Sequence, residues 1–485
     1  MLAYSPTNKS AQPTRVVICG GGASAALLLA ALKERTRRAL AVTIMEPRER
    51  LGAGVAYSTP CPAHLLNTRA CNMSVNGDAN DFLHWLTSER SRRGFNWRVE
   101  EFAPRQFYGE YLQSRLQSIR AVPNIQLSWL RAVAARVVAD GGGWKVFPTQ
   151  GAPVPADIVV LATGNEPPTP LGADLAPEVQ NLILNNPWEV ERKEAIPRHA
   201  AVLIAGTSLT AVDVVAELVY RRHAGPVLAF SRRALLPRSH GTAVEFPAGL
   251  HGAFPASLRA IVKEVRELSG EDVRGDRWRG VMTELRSMAP ALWSAWNLSE
   301  QRRFLRHVRP FWDVHRHRLA PAVHATLNRA IARGQLKVTR GRLESLEFIA
   351  ARRALRATLR QAAGRQMLEG AVLINCTGPQ THPLRVANPL LRNAVAEGIA
   401  QSDALALGLA TDPRSRVISR DGSAQRTLYA LGTLARGSHW ELTAVPEIRE
   451  QARLVARDID QYLAARAQQA AEGRVWAGAR GSLAI

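Results

Sequence analysis

Two short glycine-bearing turns hold the residues best suited to chemistry with a dinucleotide. The first is Gly20-Gly21-Gly22-Ala23-Ser24-Ala25, entered from the apolar run 16–19. It satisfies the spacing in which one glycine permits a tight turn, a second lets backbone approach a pyrophosphate, and a third small residue lets helix pack on strand. The second is Gly206-Thr207-Ser208, entered from the run 202–205, with serine where the pattern expects its middle glycine. The serine Cβ predicts a less close approach of backbone to phosphate there. In both turns the following helix would offer its first N–H groups to an anion.

The residues that end the next strand separate the two sites. The strand over 41–45 ends at Glu46, whose carboxylate suits ribose hydroxyls and repels a 2′-phosphate, so FAD or NAD is expected. The strand over 227–230 ends at Ser231-Arg232-Arg233, a hydroxyl and two guanidiniums that suit the extra phosphate of NADPH. Each unit closes with a strand running into Thr-Gly, at Thr163-Gly164 and at Thr377-Gly378. Two such sites on one chain imply electron passage from a nicotinamide to a flavin.

The elements that must position these residues form an α/β chain of two Rossmann-like domains with a helical insertion. The FAD domain is discontinuous, over 1–170 and 375–470, and the NADPH domain covers 185–240 and 335–374. Residues 241–334 read as a helical insert or lid, and 471–485 as a flexible tail. Alternation over 336–362 predicts a β-meander, while the strand ending at Gly432 should lie near the flavin. Val445-Pro446 opens a long helix, proline being tolerated in a first turn. Its positive end, with Thr443 beside it, would face the flavin.

The 485 residues carry a net charge of +22, yet only six are lysines, and the arginines are spread along the chain. No nucleic-acid motif accompanies them, so attraction of anionic small molecules is the expected consequence. No run approaches the ~20 apolar residues of a membrane span. A cytoplasmic protein is expected, and a homo-oligomer stays open. The four cysteines form no C-x-x-C pair, which argues against a thiol relay. In the segment from His307 to Arg318 the three imidazoles lack the spacing and companions of a metal site. Its Arg309, Arg316 and Arg318 could hold a carboxylate-bearing substrate, with Trp312 and His315 as further candidate contacts, or Asp313 could simply neutralise this cluster.

Further stretches carry a family resemblance. They include Leu51-Gly-Ala-Gly54-Val-Ala-Tyr57-Ser-Thr, His64-Leu-Leu-Asn67 with Met73-Ser74, Phe102-Ala-Pro-Arg-Gln-Phe-Tyr-Gly, Leu161-Ala-Thr-Gly-Asn-Glu-Pro-Pro, and Trp440-Glu-Leu-Thr-Ala-Val-Pro-Glu. On these the chain resembles the bacterial FAD-NAD(P)-binding flavoprotein family over nearly its whole length. The resemblance implies FAD and NADPH as cofactors. It further implies an N-monooxygenase using O2 and a small-molecule substrate, with aspartate-like amines among those oxidised. Gly54 and Tyr57 would lie along the flavin, and Asn67 and Met73 are candidates for the wall beside its ring. The alternatives are a flavin dehydrogenase or reductase without oxygen insertion, and a non-catalytic redox sensor.

Overall fold

The computed structural model describes residues 12–91, 101–241, 257–270 and 277–481, so the insert's 242–256 and 271–276 and the tail's 482–485 lie outside the described residues. Two parallel sheets carry the two glycine turns. The larger runs Arg416–Ile418, Ala424–Ala430, Ile158–Leu161, Thr14–Cys19, Leu40–Met45, Ile125–Leu130, and only its first pair is antiparallel. The smaller runs Leu336–Arg340, Val227–Ser231, Val202–Ala205, Val372–Asn375, Ile183–Leu184, all parallel. The central strands are short β-branched runs buried on both faces, as parallel sheets require.

Register decides what meets at the sheet ends. Cys19 pairs with Leu161, and Leu161 with Ala430, so Gly20, Ala162 and Leu431 emerge together. In the smaller sheet Ala205 pairs with both Phe230 and Asn375, which brings Gly206, Ser231 and Cys376 to one edge. The carboxyl ends of parallel strands are where open α/β sheets bind ligands.

The Ala23–Arg35 helix is buried from Ala25 to Leu32 and lies under the Arg105–Arg120 and Val445–Gly481 helices. A helix apolar on every side can only be interior. Two expectations need correction. Leu336–Arg340 belongs to no meander: it pairs parallel with Val227–Ser231, and Pro321–Ala332, packed on the Leu209–Tyr220 helix, is the crossover this requires. The meander is Arg342–Ile349, Ala354–Gln361 and Gly364–Gly370. The tail expected to be flexible from 471 continues as helix to Gly481, because alanine, arginine, glutamine and glutamate favour helix.

The insert comprises Leu258–Ser269, Arg277–Ala295, Leu298–Arg303, a π-helical turn over Phe304–Val308, and Arg309–Arg316. Its aromatic core closes on the first unit. Trp293 stacks on Trp440 at 4.9 Å, and its Nε1 donates to the Gly437 carbonyl at 2.7 Å. Among the described residues no helix is long and apolar enough to cross a membrane.

Candidate functional site

The first turn is fixed by contact with the neighbouring strand end. Gly20 has φ +105°, and a Cβ there would stand 2.4 Å from the Ala162 carbonyl oxygen. Gly22 and Gly54 face one another, a Cβ on Gly54 lying 3.2 Å from the Gly22 Cα. The Ala23–Arg35 helix starts between them with no side chain capping its first amides. Gly432, at φ +74°, comes so close to Ser24 that a Cβ would be 2.7 Å from its Oγ. Glu46 is 3 % exposed; one oxygen accepts from the Gly21 amide at 2.8 Å and the other from the Arg48 amide at 3.0 Å. The carboxylate therefore clamps the turn itself.

A residue that the sequence reading missed fixes Gly432. Gln451 accepts from the Gly432 amide at 2.7 Å and donates to the Ala430 carbonyl and to Ser415 Oγ. Three hydroxyls on these same segments, Thr163, Thr433 and Thr443, are buried and have no hydrogen-bond partner among the described residues. Buried polar groups are normally satisfied, so a polar ligand across the glycine turn and an uncapped helix end fits these residues. A dinucleotide meets that description. Tyr57 packs edge-on against Tyr108 at 4.7 Å, and burial pushes its phenol up to about 12.

The second turn repeats the first. Gly206 has φ +115°, and a Cβ would stand 2.1 Å from the Cys376 carbonyl oxygen. Ser208 heads the Leu209–Tyr220 helix at φ −89°, ψ −166°, beside −80° and −164° for Gly22. The substitution of serine for glycine leaves an extended backbone open to any residue. Thr207 Oγ1 donates to the Leu235 carbonyl at 2.7 Å, so the 2.8 Å contact from Ser231 is donated by Ser231, which also accepts from the Ala234 amide. Arg232 is exposed, whereas Arg233 turns to the insert, 5.8 Å over Phe311.

The insert candidates divide. Trp312 and His315 line a cavity of about 1000 Å³ whose other walls include Trp278, Trp296 and Phe304. Arg309 pairs with Asp313 at 3.2 Å, and Arg316 with Glu441 at 2.7 Å and Glu447 at 3.1 Å. Both guanidiniums already face carboxylates, Arg309 through the Asp313 that the sequence offered as the alternative, so a substrate carboxylate would compete with these partners. Trp312 Nε1 also donates to Glu441, at 3.0 Å. Met73 requires correction too: it is 2 % exposed in the core of the first unit and presents no face to a ligand. Asn67 is half-buried; its backbone carbonyl accepts from His240 Nε2 at 2.9 Å, and its side chain has no hydrogen bond among the described residues.

Two cations here have no carboxylate partner among the described residues, Arg69 and the Arg318 that ends the same segment. Arg69 Nη2 donates to the Gly241 carbonyl at 3.1 Å, while its Nε is buried with no hydrogen-bond partner among the described residues. Arg318 donates to the carbonyls of His315 and Arg279 and lies 5.1 Å over Trp278. Burial, reinforced by Arg279, Arg316, Arg286 and Arg69, lowers its pKa to about 10. Among the described residues no carboxylate ion-pairs with Arg69 or Arg318. Burial likewise pushes His240 down to about 4, with Arg318 and Arg69 acting in the same direction. The seam between the loop that carries Asn67 and the insert is thus strongly electropositive.

Comparison with known proteins agrees with this architecture. Residues 17–166 match a family model described as FAD-NAD(P)-binding. No curated protein matches the chain. Among solved structures, L-lysine 6-monooxygenase from Pseudomonas syringae is 16 % identical with TM-score 0.64, over 93 % of this chain and 99 % of that one. Ornithine N-hydroxylase from Kutzneria sp. 744, with reduced FAD, NADP+ and L-ornithine, is 16 % identical with TM-score 0.62, over 93 % of this chain and 100 % of that one. Thioredoxin reductase from Lactococcus lactis reaches TM-score 0.52 at 10 % identity, over 93 % and 99 % of the two chains. At such identities the likeness is one of fold.

Proposed function

We propose that the chain is an FAD- and NADPH-dependent monooxygenase that oxidises the amine of a small substrate bearing a carboxylate, as an aspartate-like amino acid does. The observation that carries this reading is the pair of glycine turns at the ends of two parallel sheets, in a chain whose fold matches amine hydroxylases along its length. FAD bound at the first turn would supply the oxygen chemistry, with electrons drawn from NADPH at the second.

The chain's own contribution is binding and orientation. Gly20, Gly22 and Gly54 open the approach to the helix amides of Ala23 and Ser24, and Glu46 holds the turn rigid. Thr163, Gly164, Gly432 and Thr443 line the same edge, where Gln451 sets the Gly432 amide. Gly206, Thr207 and Ser208 receive the second pyrophosphate, and Ser231 holds the turn from which Arg232 reaches a 2′-phosphate. Arg69 and Arg318 would hold a substrate carboxylate against Asn67. The cationic seam also sets the preference: the lysine and ornithine enzymes act on substrates with a second ammonium, which Arg69 and Arg318 would repel.

The test is NADPH-dependent product formation from aspartate, glutamate, ornithine, lysine and cadaverine, with hydroxylamine quantified against NADPH consumed. Stoichiometric hydroxylation of an acidic amino acid is expected. NADPH oxidation with no hydroxylated amine from any of the five would replace this reading with a reductase.

A further inference from the structure

The two units are joined by buried polar contacts that neither glycine turn requires. Asp213 lies in the second turn of the Leu209–Tyr220 helix, five residues after Ser208, and Glu217 follows one turn later; both are buried. Arg105 of the first unit grips Asp213 with two nitrogens, Nη1 at 2.7 Å from Oδ2 and Nη2 at 3.0 Å from Oδ1. Its Nε donates to the Leu65 carbonyl at 3.0 Å, and its amide to the His64 carbonyl at 2.9 Å. His64 is 1 % exposed, and its Nε2 lies 3.0 Å from the Asp213 carbonyl. A carbonyl only accepts, so Nε2 carries the hydrogen and Nδ1 accepts from the Thr59 hydroxyl at 2.7 Å. Within the second unit, Lys193 and Arg221 neutralise Glu217.

The geometry points to a positioning role: Arg105 and His64 set the nicotinamide-binding helix against the loop that carries Asn67, and so fix the hydride path between the two cofactors. This rests on the NADPH-to-FAD reading above. Arg105 and His64 hold the segment from Thr59 to Leu65, two residues short of Asn67, at one end and Asp213 in the second turn of the Leu209–Tyr220 helix at the other. A bidentate guanidinium–carboxylate pair fixes direction as well as distance, which a single contact does not. Productive transfer tolerates little misplacement, so loosening this joint slows the step without removing either binding site.

The experiment compares the parent with Arg105→Gln, Arg105→Lys and the double variant Arg105→Gln/Asp213→Asn, which leaves no lone buried charge. Anaerobic stopped-flow reduction by NADPH gives a limiting rate and an apparent Kd. A limiting rate at least tenfold lower in Arg105→Gln and in the double variant is expected, with Kd within twofold and Arg105→Lys partly restored. The second readout needs no cofactor: spin labels at Glu49→Cys and Met367→Cys, both exposed, in a Cys71→Ser background. Their distance distribution should broaden in the double variant. An unchanged distribution, or a rate loss matched by an equal loss of NADPH affinity, overturns the assignment. Should NADPH fail to reduce the parent, the two-site reading falls, and the distance distribution still decides whether Arg105 orients the domains.

Discussion

The two dinucleotide units share a turn and differ in what surrounds it. Gly20 and Gly206 adopt φ +105° and +115°, and a Cβ on either would collide with the carbonyl of the neighbouring strand end. Around the first turn, however, the helix is apolar throughout its buried stretch from Ala25 to Leu32, and the strand-end acid grips the glycine amide. Around the second, the strand ends in a serine tied to Thr207, and the helix buries Asp213 and Glu217 at the junction with the first unit. What the units share is therefore the steric demand of strand against turn. What differs is that the second helix adds buried charge to its apolar face, and that addition makes its placement sensitive to pH and to single polar substitutions.

The largest expected effect tests the shared part. Gly20→Ala and Gly206→Ala each combine a left-handed backbone with a backbone clash, and each should cost about 2–5 kcal/mol. Urea unfolding measures the loss, and flavin content separates the two. Gly20→Ala should purify without FAD, whereas Gly206→Ala should keep FAD and lose reduction by NADPH. Equal flavin loss in both would mean that the turns are not independent sites.

The next effect breaks the symmetry. Burial holds His64 at about 4, against 6.5 for an ordinary imidazole, so the folded state keeps it neutral. Its folded pKa is depressed, so the stability it contributes is complete above about pH 6.5, falls as pH drops toward 4, and changes no further below that. The loss should approach about 3 kcal/mol over that window. His64→Gln should flatten this part of the stability profile, as followed by urea midpoints at several pH values. His240, held at about 4, adds a similar slope, so the comparison is between the variant and its parent.

These contrasts also mark how far the sequence could be read. Strands, turns and the difference between Glu46 and Ser231-Arg232-Arg233 follow from local periodicity and glycine spacing, because the constraints act within a few residues. Arg309 obeys the same rule, since Asp313 four residues on neutralises it, but Arg316 could not be judged that way. Arg316 is neutralised by Glu441 and Glu447, whose contacts span 125 and 131 positions, and Arg69 reaches Gly241 across 172. Met73 is apolar and close to Asn67 in the chain, and only packing shows that it faces the core. The parallel pairing of Leu336–Arg340 was hidden because alternation looks alike in a meander and at the edge of a parallel sheet.

A smaller effect sharpens the cofactor contrast. Arg232 is exposed beside Ser231, while Arg233 is engaged with Phe311 and the Arg306 carbonyl. Arg232→Ala should raise KM for NADPH about tenfold, near 1.4 kcal/mol, and leave KM for NADH within twofold. A matching rise for both nicotinamides would move the 2′-phosphate contact away from this strand end.

The smallest effect concerns Ser208. Its Cβ suggests a weakened pyrophosphate site, but its backbone angles nearly coincide with those of Gly22, and serine is at least as good as glycine at the head of a helix. Ser208→Gly should therefore change stability by less than about 1 kcal/mol. It should leave KM for NADPH within twofold and the limiting rate of flavin reduction unaltered. A large gain in NADPH affinity would show that the hydroxymethyl group does hold the phosphate off. The second turn would then be the weaker copy of the first, with Arg105 and His64 orienting a helix whose turn binds its cofactor poorly.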